Sequence, residues 1–100
     1  MKYVLGIDVG TGGTRAVLTD QNGQIVSSAT SEHAPFASPK TGWAEQDPQD
    51  WYRAAGSAVL QAISAAGLDA SDISAVGLAG QMHGAVLLDE NNEVLRPALI

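Results

Sequence analysis

The sequence predicts a partial α/β core: a three-stranded antiparallel meander, one helix, a strand parallel to the first, then a short hairpin. Three observations carry this. Tyr3 to Val9 is an almost unbroken apolar run rich in β-formers. Asn22-Gly23, a strong hairpin signal, separates two segments of strand character. From Trp51 to Ala66, apolar residues recur at helical spacing.

Each element follows from local chemistry. The continuous apolarity of Tyr3 to Val9 is that of a strand covered on both faces, which places it at the centre of a sheet. Thr14 to Asp20 sets Ala16 and Leu18 against Arg15, Val17 and Thr19, the period of a half-buried strand. Gln24 to Ser31 follows as the third strand. His33 to Asp47 is rich in Pro, Ser, Gly and Lys and reads as a long loop containing Trp43, of a length that in compact domains serves a site or a partner.

Asp47-Pro48 begins a helix, with Asp47 as N-cap, Pro48 in the first helical position and Asp50 near the positive end of the dipole. Trp51, Ala54, Ala55, Ala58, Val59 and Ala62 begin one continuous apolar face that Ile63 and Ala66 complete, while Arg53, Ser57, Gln61 and Ser64 point away. Gly67 ends the helix. A face built mostly of alanine lies close against a sheet, and Trp51 is expected to supply much of the buried area. If Trp51 is core, Trp51→Ala costs roughly 3–5 kcal/mol. Ile73 to Ala79 is the fourth strand and runs into Gly80-Gln81-Met82-His83-Gly84. Ala85 to Leu88 and Val94-Leu95 flank the turn Asp89-Glu90-Asn91-Asn92 as a second hairpin. The chain closes on apolar Ala98-Leu99-Ile100, and nothing after residue 84 supplies a second helix for the sheet's other face, so it reads as the start of something larger.

Composition narrows the function. In 100 residues, 45% hydrophobic and 16% charged, the chain is that of one small globular domain at most. A net charge of −6 with five scattered Lys and Arg argues against nucleic acid, whose binding needs clustered cations. The absence of cysteine removes disulfides and thiolate metal sites. Gly6 and Asp8 break the N-terminal apolar run, which has no cleavage-type tail, so neither a signal peptide nor a membrane span is read there and a soluble cytoplasmic protein is expected.

The stretch Asp8-Val9-Gly10-Thr11-Gly12-Gly13-Thr14 admits three phosphate-binding devices. A Walker loop needs a Gly-Lys-Ser/Thr that is missing, and a dinucleotide fingerprint starting at Gly10 would need glycine where Arg15 stands and a helix where a strand follows. What remains is a glycine-rich hairpin whose main-chain N–H groups form a nest for an anion, with Thr11 and Thr14 as hydroxyl donors. An ionised Asp8 at the end of a buried strand then needs a partner, and Mg²⁺ arriving with a nucleotide would satisfy it. The other reading is that Asp8 caps the turn's own N–H groups.

Gln81-Met82-His83-Gly84 lies past the carboxyl end of a strand, where ligands bind in open α/β sheets. Gln81 and His83 offer directional hydrogen bonds to a sugar and Met82 an apolar contact. The alternative is a loop whose His bonds to backbone while Met fills the core. Trp43 reads as a staple on the helix's first turn or as a ring face beside a sugar, and His33 as a solvated loop residue.

Four stretches in this order, Gly6–Arg15 (GIDVGTGGTR), Trp43–Pro48 (WAEQDP), Gly77–Gly84 (GLAGQMHG) and Leu95–Ala98 (LRPA), resemble the amino-terminal part of the FGGY carbohydrate kinases, and most of all their xylulokinase branch. The first stretch is shared with the wider superfamily of actin, hexokinase and heat-shock ATPases. The third is sharper, since glycerol kinases share the glutamine but differ at the next two positions. The resemblance implies an RNase H-like, actin/hexokinase-type ATPase core, with residues 1–100 the first part of the amino-terminal kinase domain. It implies ATP and Mg²⁺ as cofactors and a ketopentose substrate, D-xylulose becoming D-xylulose 5-phosphate. Asp8 would then stand near Mg²⁺, with Thr11, Gly12 and Gly13 at the phosphates, Arg15 nearby, and Met82 and His83 on the ketose beside Gln81. Many relatives carry hydroxyl residues where Gly12 and Gly13 stand, so the contacts expected there are from backbone. The family's general base, an aspartate, and its adenine pocket lie beyond residue 100, so these residues alone are expected to be inactive; a homodimer is an open expectation for the full-length protein. Two other readings stay open: another FGGY sugar or polyol kinase, and a non-catalytic actin-like module that switches partners with its nucleotide. Gln81-Met82-His83 argues against the last, because a nucleotide switch needs no sugar pocket.

Overall fold

A computed structural model describes residues 2–100. Strands β1 (Tyr3–Val9), β2 (Gly13–Thr19), β3 (Ile25–Glu32) and β5 (Ile73–Ala79) form one sheet in the order β3-β2-β1-β5. β1 pairs antiparallel with β2 and parallel with β5, and β2 pairs antiparallel with β3. The meander, the crossover helix α1 (Pro48–Ala66) and the parallel return strand thus match the expected order, with β2 and β3 displaced by one residue. A two-stranded ladder of β4 (Glu45–Gln46) and β6 (Ala98–Leu99) was not legible as strands, being only two residues long on each side.

The core lies between α1 and one face of β2 and β3. Leu5, Ala16, Leu18, Ala58 and Ala62 form the buried cluster, Ala16 and Leu18 wholly so, and Ile7, Ala29, Val59 and Ile63 pack around it. Ala54, Ala58 and Ala62, four residues apart, are the fully buried stripe of the helix. Their small side chains let the helix backbone come close enough for the Ser27 hydroxyl to donate to the Ala62 carbonyl at 2.6 Å. The helix ends are built as the sequence indicates. The Asp47 carboxylate accepts the Gln49 N–H at 3.0 Å, Pro48 opens the helix, and Gly67 closes it at φ 67° with its N–H on the Ser64 carbonyl. Asp50 accepts the Ala34 N–H at 2.7 Å and the Arg53 guanidinium at 2.8 Å. The Ala34 bond, ahead of the Arg53 bond, holds the Asp50 carboxyl below its usual range, so its contribution to stability persists until the pH falls below that range.

Three expectations are corrected. β1 has two paired edges, as a central strand must, but α1 covers only one face of the sheet, chiefly over β2 and β3, and Val4 and Asp8 on the other face are exposed. One alanine-faced helix spans two strands, so even on its own side Val76 and Leu78 of β5 stay open, Leu78 at 79%. Trp51 is only half-buried and lies outside the core cluster, so the core condition for its large truncation cost is not met. Trp43 is 45% exposed and lies under the Lys40 ammonium, 4.8 Å from the ring centroid, instead of stapling the helix.

Both hairpins turn on the same device. Asp20 accepts the N–H groups of Asn22 and Gln24, with Gly23 at φ 81°; Asp89 accepts those of Asn91 and Glu93, with Asn92 at φ 63°. The left-handed residue is therefore Gly23 alone and not the Asn22-Gly23 pair, and the ladder shifts register beside it, between Leu18 and Thr19. The second hairpin is minimal: a bridge between Leu88 and Val94 and a bond from the Leu95 N–H to the Leu87 carbonyl at 2.9 Å.

Leu18 is the largest fully buried side chain. Leu18→Ala is expected to destabilise the protein by about 2–5 kcal/mol in urea unfolding.

Candidate active site

Parallel pairing of β1 with β5 brings Asp8 opposite Ala79, so the glycine hairpin after β1 and the loop after β5 leave the sheet at the same end. The hairpin closes through the Gly10 N–H on the Gly13 carbonyl at 2.9 Å. Its tip, Thr11 and Gly12, is exposed, and no hydrogen bond among the described residues takes the N–H of either. Gly10, Gly12 and Gly13 all have negative φ, so the tip lacks the alternating handedness of an anion nest; what it presents is two adjacent unpaired donors.

The glycines differ in purpose. A Cβ on Gly12 would meet nothing within 4 Å, whereas one on Gly13 would lie 2.8 Å from the Ser31 carbonyl oxygen. Gly13 is therefore required by the close approach of β3 whatever binds at the tip. Asp8 and Arg15 are cross-strand partners on the sheet face away from α1. They border an open concavity of about 560 Å³ whose floor, the paired Gly6 and Gly77, has no side chains.

Asp8 is exposed and accepts no hydrogen bond among the described residues, so it does not cap the turn. No cluster of three or more potential protein ligands for a metal occurs among the described residues. One exposed carboxylate nevertheless suits Mg²⁺, which keeps waters, uses one or two carboxylates and is otherwise held by phosphate oxygens.

The other side of the hairpin is bound into a polar network. The Thr11 hydroxyl donates to Gln81 Oε1 at 3.1 Å, and Gln81 Nε2 donates to the Gly10 carbonyl at 3.3 Å. Gln46 Nε2 donates to the Thr11 carbonyl at 2.7 Å, while its Oε1 accepts the Trp51 indole N–H at 3.0 Å and Gln81 Nε2 at 3.1 Å. His33, read from sequence as solvated, is 8% exposed: its main-chain N–H bonds the Gly12 carbonyl and draws the ring under the hairpin. The Thr11 carbonyl, 3.3 Å from Nδ1, can only accept, so Nδ1 carries a proton toward it, while Nε2 is hydrogen-bonded to the Thr14 hydroxyl at 2.7 Å.

Met82 and His83 stand beyond Gln81 on an exposed turn, Met82 at 82%. His83 has φ 61°, a left-handed conformation that few residues other than glycine adopt and that collects at functional sites. The structure thus joins Gln81 to Thr11 and Gly10, places Asp8 with Arg15 on the opposite face, and leaves Met82 and His83 open. Gln46 and His33 are the residues that sequence reasoning missed as part of the site. Gln46 lies within the quoted WAEQDP stretch, but its partners Thr11 and Gln81 are 35 residues away on either side and no local pattern announces them.

Gly13→Ala should destabilise the fold by about 1–3 kcal/mol, since β3 must give way, whereas Gly12→Ala should change stability by less than about 0.5 kcal/mol; urea unfolding of the pair separates a packing glycine from an open one.

Residues 3–100 match the FGGY family of carbohydrate kinases, N-terminal domain. The chain is 41% identical over 100 residues, its whole length, to a xylulose kinase of Bacillus subtilis (strain 168), of which it covers 20%. It is 42% identical over 98 residues, 96% of the chain, to a xylulose kinase of Escherichia coli (strain K12), of which it covers 19%. Among solved structures, a xyloylose kinase from Brucella ovis superposes with a TM-score of 0.92 at 41% identity, covering 98% of this chain and 20% of that one. The chain thus spans about a fifth of the length of the relatives it matches. With a family model matched over nearly every residue and the partial actin/hexokinase-type ATPase core that its structural neighbours share, this chain belongs to the FGGY family of carbohydrate kinases.

Proposed function

We propose that this chain is the first part of the amino-terminal domain of an ATP-dependent ketopentose kinase, converting D-xylulose to D-xylulose 5-phosphate in the cytoplasm. The observation that carries the reading is the bonding of Gln81 to Thr11 and Gly10, which sets the turn bearing Met82 and His83 beside the tip with unpaired N–H groups. A phosphoryl transferase must hold donor and acceptor side by side, and most of its catalysis is positioning and charge neutralisation. The names of the relatives support the substrate class.

In this reading the N–H groups of Thr11 and Gly12 hold terminal phosphate oxygens of ATP. Gly13 keeps the hairpin tight against β3, and Arg15 adds positive charge on the Asp8 face. Asp8 would hold Mg²⁺, directly or through water, and the ion would neutralise charge on the transferring phosphoryl group. His83 donates or accepts hydrogen bonds at the ketose hydroxyls, Gln81 accepts from one through Oε1, and Met82 covers the carbon backbone. The proton leaving the attacking primary hydroxyl passes to a base outside these residues. Residues 1–100 alone are therefore inactive in this reading.

In the full-length protein Asp8→Ala should lower kcat by about 10²-fold or more, with stability nearly unchanged because the side chain is exposed. His83→Gly, which fits the left-handed backbone, should raise the KM for D-xylulose while stability stays within about 1 kcal/mol of wild type. Coupled ADP release and thermal unfolding measure both; losses of activity that follow unfolding in both variants would overturn these roles. ADP release by residues 1–100 alone would overturn their assigned inactivity.

A further inference from the structure

We infer that Gln46 is a positioning residue that couples the phosphate side of the site to the sugar side, so that filling either one strengthens binding at the other. The inference deepens the kinase reading above and rests on it.

Gln46 is 6% exposed, and its amide reaches three separate elements: the hairpin through Thr11, α1 through Trp51 and the loop after β5 through Gln81. The roles cannot be exchanged. A carbonyl such as that of Thr11 only accepts and an indole N–H such as that of Trp51 only donates, so the Gln46 amide has one satisfied orientation. Gln81 inherits its own orientation from Gln46, offering Nε2 to Gln46 and Oε1 to the Thr11 hydroxyl.

The hub itself is anchored. Gln46 pairs with fully buried Ala98 in the β4–β6 ladder, its neighbour Glu45 is ion-paired with Arg96, and Asp47 on its other side caps α1. Displacing the Thr11 tip would leave the buried Gln46 Nε2 without its acceptor, and displacing Gln81 would take from Gln46 Oε1 one of its two donors and from Gln81 Nε2 both of its acceptors, so the two move together. A ligand that fixes the hairpin also fixes the turn bearing Met82 and His83, and thermodynamic linkage makes the effect reciprocal. A Gln46 that was only structural would change stability and scale activity without altering this mutual dependence.

The test is calorimetric, on the full-length protein with D-xylulose and a non-hydrolysable ATP analogue plus Mg²⁺. The coupling factor is the sugar Kd without nucleotide divided by that with nucleotide. Wild type should give a factor of about five or more. Gln46→Met keeps the side chain's shape and loses its three bonds; it should bring the factor below about two, a ratio that a uniform loss of sugar affinity leaves unchanged. Trp51→Phe removes one of the three bonds and should give an intermediate factor. If Gln46→Met does not fold, Trp51→Phe decides: a factor between about two and the wild-type value supports the inference and the wild-type value overturns it. An active wild-type kinase without coupling, or a variant that keeps the wild-type factor or loses affinity equally with and without nucleotide, overturns this inference alone. A wild-type protein that phosphorylates no ketopentose overturns the kinase reading and this inference with it.

Discussion

The parallel pairing of β1 with β5 is the constraint on which the site depends. It joins residues about seventy positions apart and sets the register in which Asp8 faces Ala79. Both strands therefore finish at one end of the sheet, and the segments that follow them, a glycine hairpin and a glutamine-led turn, must meet. An antiparallel return would have sent the second segment to the far end. The crossover that makes the parallel return possible is α1, whose alanine stripe at Ala54, Ala58 and Ala62 lets it pack tightly over β2 and β3.

Tight packing at one end of the helix leaves room for polar chemistry at the other. Around the first turn of α1 the buried groups are Gln46, His33 and Thr14 in place of aliphatic side chains, and no buried side-chain polar atom among the described residues lacks a partner. Such a network is stable because every member is satisfied, and it fixes one arrangement where an apolar core would tolerate several. Trp51 belongs to this set more than to the core: its ring lines the open groove of about 660 Å³ between α1 and β5, and its indole N–H orients Gln46.

Much of this was legible from residue order. β1 and β5 run over the residues expected, because continuous apolar runs have sharp ends at Gly and Asp. The helix is bounded by an N-cap and a left-handed glycine whose chemistry is local. The limits of legibility are equally physical. The β4–β6 ladder depends on partners some fifty residues apart, with only two residues per strand to signal it. His33 read as solvated because burial of a loop histidine is decided by Thr14 and the Thr11 carbonyl, which no periodicity encodes. Trp51 read as core because helical spacing identifies a face without saying how far the sheet beneath it extends. Of the site, the sequence indicated the hairpin and Gln81, but not Gln46, the hub on which they converge.

β5 is the last strand of its sheet, with one edge paired to β1 and the other unpaired among the described residues. Leu78 and Val76 flank that edge, side by side with neither charge nor proline to blunt it. A long, apolar, unprotected margin of this kind is a template for recruiting a further strand, from the same molecule or another. The geometry that delivers Gln81 to the hairpin thus also leaves a margin along which further chain of the same protein can extend the sheet.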